Sequence, residues 1–152
     1  MRTKLLIIGA LAAIAALALP TFVPAAGEGV RKLEAALDGG EEVPDKGDPN
    51  GSGLALVTVK QEKRKLCFNI SFDKLDTPPT AGHIHKGKLG VAGDIVVPLF
   101  ENPAGVVSPV KGCAKAGKKL LGKIKNNPAN FYVNLHNSEY PAGAIRGQLV
   151  ER

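Results

Sequence analysis

The chain is 152 residues long, 44% hydrophobic and 22% charged, with a formal net charge of +6. That length suits one domain and excludes a large multi-domain enzyme, and the composition is neither disordered nor collagen-like. Two cysteines exclude a zinc-finger framework, while 18 Gly, 11 Pro and only 5% aromatics suit short strands joined by turns.

The chain opens on a targeting pattern. Arg2 and Lys4 form a basic start, Leu5 to Leu19 is an uncharged apolar run, and Pro20 breaks it before Val23-Pro24-Ala25. The run falls short of the roughly 20 residues a membrane span needs, and small residues follow where a signal peptidase cuts. Residues 1–25 are therefore expected to be a secretory signal, with one domain over 28–152 and no membrane span after cleavage. The protein is expected outside the cytoplasm, secreted, periplasmic or at the cell surface. There, Cys67 and Cys113 are expected as a disulfide, with free thiols or a soft-metal pair as the alternatives.

The strand signals follow in chain order, at roughly 31–37, 53–60, 66–72, 81–85, 94–99, 106–111, 131–135 and 144–150. The clearest is Leu66, Phe68, Ile70 and Phe72 at every second position, with Cys67, Asn69 and Ser71 on the other face. Phe131, Val133 and Leu135 repeat the pattern. Turn residues punctuate it at Asp48-Pro-Asn-Gly, Thr77-Pro-Pro and Lys86 to Gly93. One stretch differs: Leu120, Leu121 and Ile124 make one side of a short helix within 115–126, which Asn126-Asn127-Pro128 stops. The fold class is all-β, an antiparallel Greek-key sandwich or barrel with that single helix. Cys67 lies opposite the Phe68 row, so its bond to Cys113 is expected to tie a strand to the loop before the helix.

Five pieces occur in one order: Leu37-Asp-Gly-Gly-Glu-Glu-Val-Pro, Gly51-Ser-Gly, Ala81-Gly-His-Ile-His-Lys-Gly, Tyr132-Val-Asn-Leu-His-Asn and Tyr140-Pro-Ala-Gly-Ala-Ile-Arg-Gly-Gln-Leu. Together they resemble the chordin-type (CHRD) domain across about residues 33–150, and the two cysteines resemble those of bacterial single-domain members. The resemblance implies an exported all-β module and no settled activity. The cysteine-rich modules with which animal chordin antagonises growth factors are absent, so growth-factor binding is not carried over.

All three histidines fall inside these pieces. His83 and His85 flank Ile84, so both rings leave one face about 6.6 Å apart along a strand. If Ile84 and Leu135 point into the core, His136 leaves by the same outer face. Three convergent imidazoles suit copper or zinc, with water, Asn134 or Glu139 for a fourth position. The His-x-His strand locally resembles the copper ligands of copper/zinc superoxide dismutase, whose further histidines and bridging ligand are absent. The alternative is that the rings bond to neighbouring loops and hold the strand ends.

Arg146 is expected to pair with Glu139 or Asp94, the alternative being an anionic ligand. The Lys111–Lys125 region is a candidate contact for an anionic surface or an extracellular protein. Nucleic acid is not expected, because no aromatics interleave those lysines. No Gly-x-Ser-x-Gly, phosphate loop, dinucleotide fingerprint or catalytic carboxylate pair is present, and no catalytic residue is assigned. The sequence reads as an exported, non-enzymatic binding or structural module. A copper- or zinc-binding role in metal handling or redox chemistry is the alternative.

Overall fold

The computed structural model describes residues 29–152, so the expected secretory segment lies outside the described residues. Three long strands open the fold: β1 (Val30–Asp38), β2 (Ser52–Lys60) and β3 (Lys65–Asp73). Each alternates as the sequence does. Leu33, Ala35 and Leu37, then Ala55, Val57 and Val59, then Leu66, Phe68 and Ile70 are all buried, and their intervening neighbours face outward. Next come β4 (Ala81–Lys86), β5 (Ile95–Glu101), β6 (Val110–Lys115), α1 (Lys118–Asn126), β7 (Phe131–His136), β8 (Ile145–Gln148) and β9 (Val150–Glu151).

All strand pairs are antiparallel, in the order β5-β4-β7-β8-β1-β2-β3-β6, with β9 beside β1. The connections β3 to β4 and β6 to β7 join strands that are not neighbours, the Greek-key device. The end strands β5 and β6 come back into contact, so the sheet is a nearly closed barrel, and Phe68 meets Phe100 inside it with ring centroids 6.3 Å apart. Ile84, Val133, Leu135 and Ile145 complete the core from β4, β7 and β8. Truncating Ile84 to Ala would cost about 2–5 kcal/mol through lost burial and a residual cavity. Helix α1 lies against β2 and buries Leu121 and Ile124, while Lys123 and Lys125 occupy its last turn, where cations favour the dipole. No helix among the described residues is long and apolar enough to cross a membrane.

Three sequence expectations are corrected. The strand placed at 106–111 lies instead at Val110–Lys115, and Val107 is 84% exposed in the preceding loop. Pairing with β3 decides the position, since Phe68 faces Gly112 and a Cβ there would sit 2.6 Å from the Phe68 ring. Cys113 is consequently in a strand, not a loop. It is the direct register partner of Cys67, and the disulfide joins two neighbouring strands on their outer face. The segment 144–150 divides into β8 and β9 around buried Leu149, whose N–H donates to Phe131 O. Gly147 makes that path sterically feasible, because a Cβ on it would lie 1.9 Å from Ala36 O.

Candidate metal centre

The three histidines are built onto one outer face by period two and strand order together. Ile84 and Leu135 point inward with no exposure, so His83, His85 and His136 point outward. Strands β4 and β7 are neighbours, with Ala81 opposite His136, His83 opposite Asn134 and His85 opposite Tyr132. Ring centroids are 5.7 Å apart for His83 and His85, 4.9 Å for His83 and His136, and 6.0 Å for His85 and His136. One ring nitrogen from each lies within 4.8 Å of the others. Tetrahedral bonds of about 2.0–2.1 Å require nitrogens about 3.4 Å apart, so the rings must move closer to share one ion.

The outer partners of the rings set their tautomers. His85 Nδ1 donates to Gly93 O at 2.8 Å and His136 Nδ1 donates to Pro141 O at 3.1 Å. A carbonyl only accepts, so each Nδ1 carries the proton and each Nε2 keeps its lone pair. Those Nε2 atoms, and His83 Nδ1, are buried without a protein hydrogen-bond partner. Burial lowers the pKa of all three rings. For His83 the neighbouring His85 adds to this, and His136 is pushed down to about 4 by burial and then by His83. The rings are held neutral, the form that ligates metal.

Loops roof this face. Gly93, in the β4–β5 loop, receives His85 and Tyr132 together, and a Cβ there would lie 1.8 Å from Lys86 O, so only glycine brings the loop down this closely. The Tyr132 ring stacks on His85 at 4.8 Å and 7°. On the other side of β7, Arg146 lies over Tyr132 with its guanidinium carbon 3.5 Å from the ring centroid. Arg146 Nη2 donates to Lys88 O and Val91 O, both at 3.0 Å, which pins the loop that carries Gly93.

Arg146 is therefore not paired with Glu139 or Asp94, as the sequence suggested: it is 1% exposed and occupied by the loop carbonyls and Tyr132. The carboxylate that feels it is Glu42. Burial raises the Glu42 pKa to about 7, while Arg146 and the hydrogen bond from Asn134 Nδ2 to its Oε2 at 3.2 Å pull the other way. Glu139 is exposed in the β7–β8 loop and outside the histidine set. Sequence reasoning missed Glu42 as part of this face. The Gly-Gly-Glu-Glu-Val-Pro stretch was the available signal, but nothing in it says which glutamate turns inward. Among the described residues, eight buried side-chain polar atoms lack a partner, and six belong to this one cluster: Glu42, His83, His85, Asn134, His136 and Arg146. Such atoms are normally satisfied by protein or by ordered water, so this face is where a water or a ligand would be held.

The CHRD domain family model matches residues 33–149, nearly the whole described chain. The chain belongs to the CHRD domain family. No curated protein and no solved structure matches it. In this CHRD domain the family stretches quoted from the sequence converge in space: the His-Ile-His strand, the Tyr-Val-Asn-Leu-His strand and the Ala-Ile-Arg-Gly strand are β4, β7 and β8, side by side. The Glu-Glu-Val-Pro loop supplies the CHRD domain with Glu42 against Asn134.

Proposed function

We propose that this protein is an exported CHRD module that binds copper or zinc through His83, His85 and His136, in a non-enzymatic role of metal holding. The observation that carries the reading is that one ring nitrogen of each histidine lies within 4.8 Å of the others, on rings that each bury a nitrogen without a protein partner. A purely structural role accounts for the two Nδ1 bonds to loop carbonyls, yet leaves His83 Nδ1, His85 Nε2 and His136 Nε2 without a protein partner. The Nδ1 bonds also suit metal binding, since ligating histidines donate their other N–H to a carbonyl and are oriented by it. Asn134, on the same outer face, or water would complete a fourth position. Export is supported by the disulfide, which persists in oxidising compartments, and by the basic-then-apolar start of the chain.

Calorimetric titration of tag-free protein with Cu(II) and Zn(II) near neutral pH tests the reading. One equivalent should bind, and single His→Ala variants should weaken binding. Absence of stoichiometric binding, or unchanged binding in all three variants, would return the histidines to holding loops.

A further inference from the structure

The barrel's other polar face, on β2, β3 and β6, carries a feature that neither the fold nor the histidine centre uses. Lys60 is the register partner of Lys65, and Lys65 is the register partner of Lys115, so three ammonium groups stand in one row across three strands. Like charges directly opposite on neighbouring strands repel at Cβ separations of about 4.5–5.5 Å. Among the described residues, ion pairs join Arg31 to Glu151, Lys118 to Glu62 and Arg152 to Glu34, and none engages the row. Lys111, opposite Asn69, and Lys32, beyond Thr58, extend the positive charge on the same outer face.

A second observation points the same way. The β2–β3 turn ends on Arg64 at φ 50°, a left-handed conformation that glycine or asparagine adopts at less cost. Its carbonyl accepts from Ala116 N–H at 3.1 Å, which fastens this basic turn to the end of β6. Between them runs an open trough of about 730 Å³, edged by Lys63, Arg64, Lys65 and Lys115, with Cys113 on its wall. The disulfide between Cys67 and Cys113 braces the two strands whose lysines repel each other.

We infer that this face is a binding surface for a linear acidic polysaccharide, one carrying repeated carboxylate or sulfate groups. Lysine is a hydrated, mobile point charge that follows such groups without demanding one geometry. A row of lysines across the outer face of three neighbouring strands suits an extended chain better than a single small anion. Single-stranded nucleic acid fits less well, since neither tyrosine lies on this face: Tyr132 is buried under the opposite loops and Tyr140 lies in the β7–β8 loop. A duplex, held through its phosphates, is separated by the test below. A lipid surface fits less well too, because the apolar side chains exposed on and beside these strands, Val30, Leu54 and Val107, are isolated from one another on β1, β2 and the loop before β6. The surface draws on two segments far apart in sequence, 60–65 and 111–115. The helix lysines at 118–125 lie outside the row.

The test uses the disulfide-bonded protein with fluorescent dextran sulfate and polygalacturonate, read by anisotropy at 50 and 200 mM salt. Binding at 50 mM that falls steeply at 200 mM is expected. The double reversal Lys65→Glu with Lys115→Glu should weaken it at least about tenfold, whereas Lys119→Glu with Lys123→Glu, the same charge change on α1, should change it less than about threefold. In parallel, Lys65→Gln should raise the unfolding midpoint by about 2 °C through relieved repulsion while weakening glycan binding. No binding at 50 mM, equal losses in the two double variants, or tighter binding to a 20-base-pair duplex or to phosphatidylglycerol vesicles would overturn the inference.

Discussion

The β4–β7–β8 face and the β2–β3–β6 face arise from the same strand periodicity and end in opposite physical states. Both are the outward set of alternating strands. On the first, the β4–β5 and β7–β8 loops and the Glu42 loop fold down, so that His85, Asn134, Arg146 and Glu42 are nearly inaccessible and six of their polar atoms or those of neighbouring histidines are unpartnered. On the second no loop folds over, the lysines stay hydrated, and a covalent bond joins the strands. The contrast teaches that loops, not strands, convert a polar sheet face into a site. Burial holds the imidazoles neutral on the roofed face.

Reducing the disulfide probes the open face and should have the largest effect. A loop closed over a separation of 46 residues stabilises by about 4 kcal/mol in the chain-entropy model, so urea unfolding should show a loss of that order. The β3–β6 ladder remains, so far-ultraviolet dichroism and metal affinity should be nearly unchanged. A parallel fall in metal affinity would mean that the two faces are coupled. On the roofed face, His85→Ala removes one of the three proposed ligands and should weaken copper or zinc binding by about 100-fold or more, read by calorimetry, without altering disulfide formation.

A pH series sharpens the comparison because the roofed face holds two strongly shifted groups. His136, lowered to about 4, contributes stability that is present above about pH 6.5 and lost as pH falls toward 4. Glu42, raised to about 7, acts in the opposite sense: its contribution is full below about pH 4.5 and lost as pH rises through 7. Metal-free protein should therefore show a shallow stability profile between pH 4.5 and 7. Glu42→Gln should remove the loss on the high side and leave a profile that rises with pH, measured by denaturant midpoints. The smallest effect is expected for Tyr132→Phe. It removes the hydroxyl from Gly93 but keeps the ring between His85 and Arg146, so it should cost about 1 kcal/mol in urea unfolding.

The individual elements show how far local information reaches. The Leu66–Phe72 and Phe131–Leu135 alternations name their buried faces correctly, because strand parity is a property of consecutive residues. The helix was equally legible, since Leu120, Leu121 and Ile124 are spaced for one side and Pro128 ends it. The strand carrying Cys113 was not, because Lys-Gly-Cys-Ala-Lys has little apolar alternation and takes its place from the β3 partner it faces. Arg146 was read as paired with Glu139 or Asp94 because a guanidinium suits bidentate pairing with a carboxylate. Its actual partners, the Lys88 and Val91 carbonyls and the Tyr132 ring, belong to elements that become neighbours only on folding.

By itself the sequence determined the all-β class, the inward and outward sets of each strong strand, the outward exit of the three histidines and the membership of the family. The first three follow from spacing and composition, which act over a few residues at a time, and the last from five motifs in one order. Only the tertiary structure decided that β4 lies beside β7, that Cys113 faces Cys67, that Glu42 turns under the roof and that Lys60, Lys65 and Lys115 share a row. Strand order and loop descent are long-range choices, made by which arrangement buries one continuous core, and no window of local sequence contains that sum.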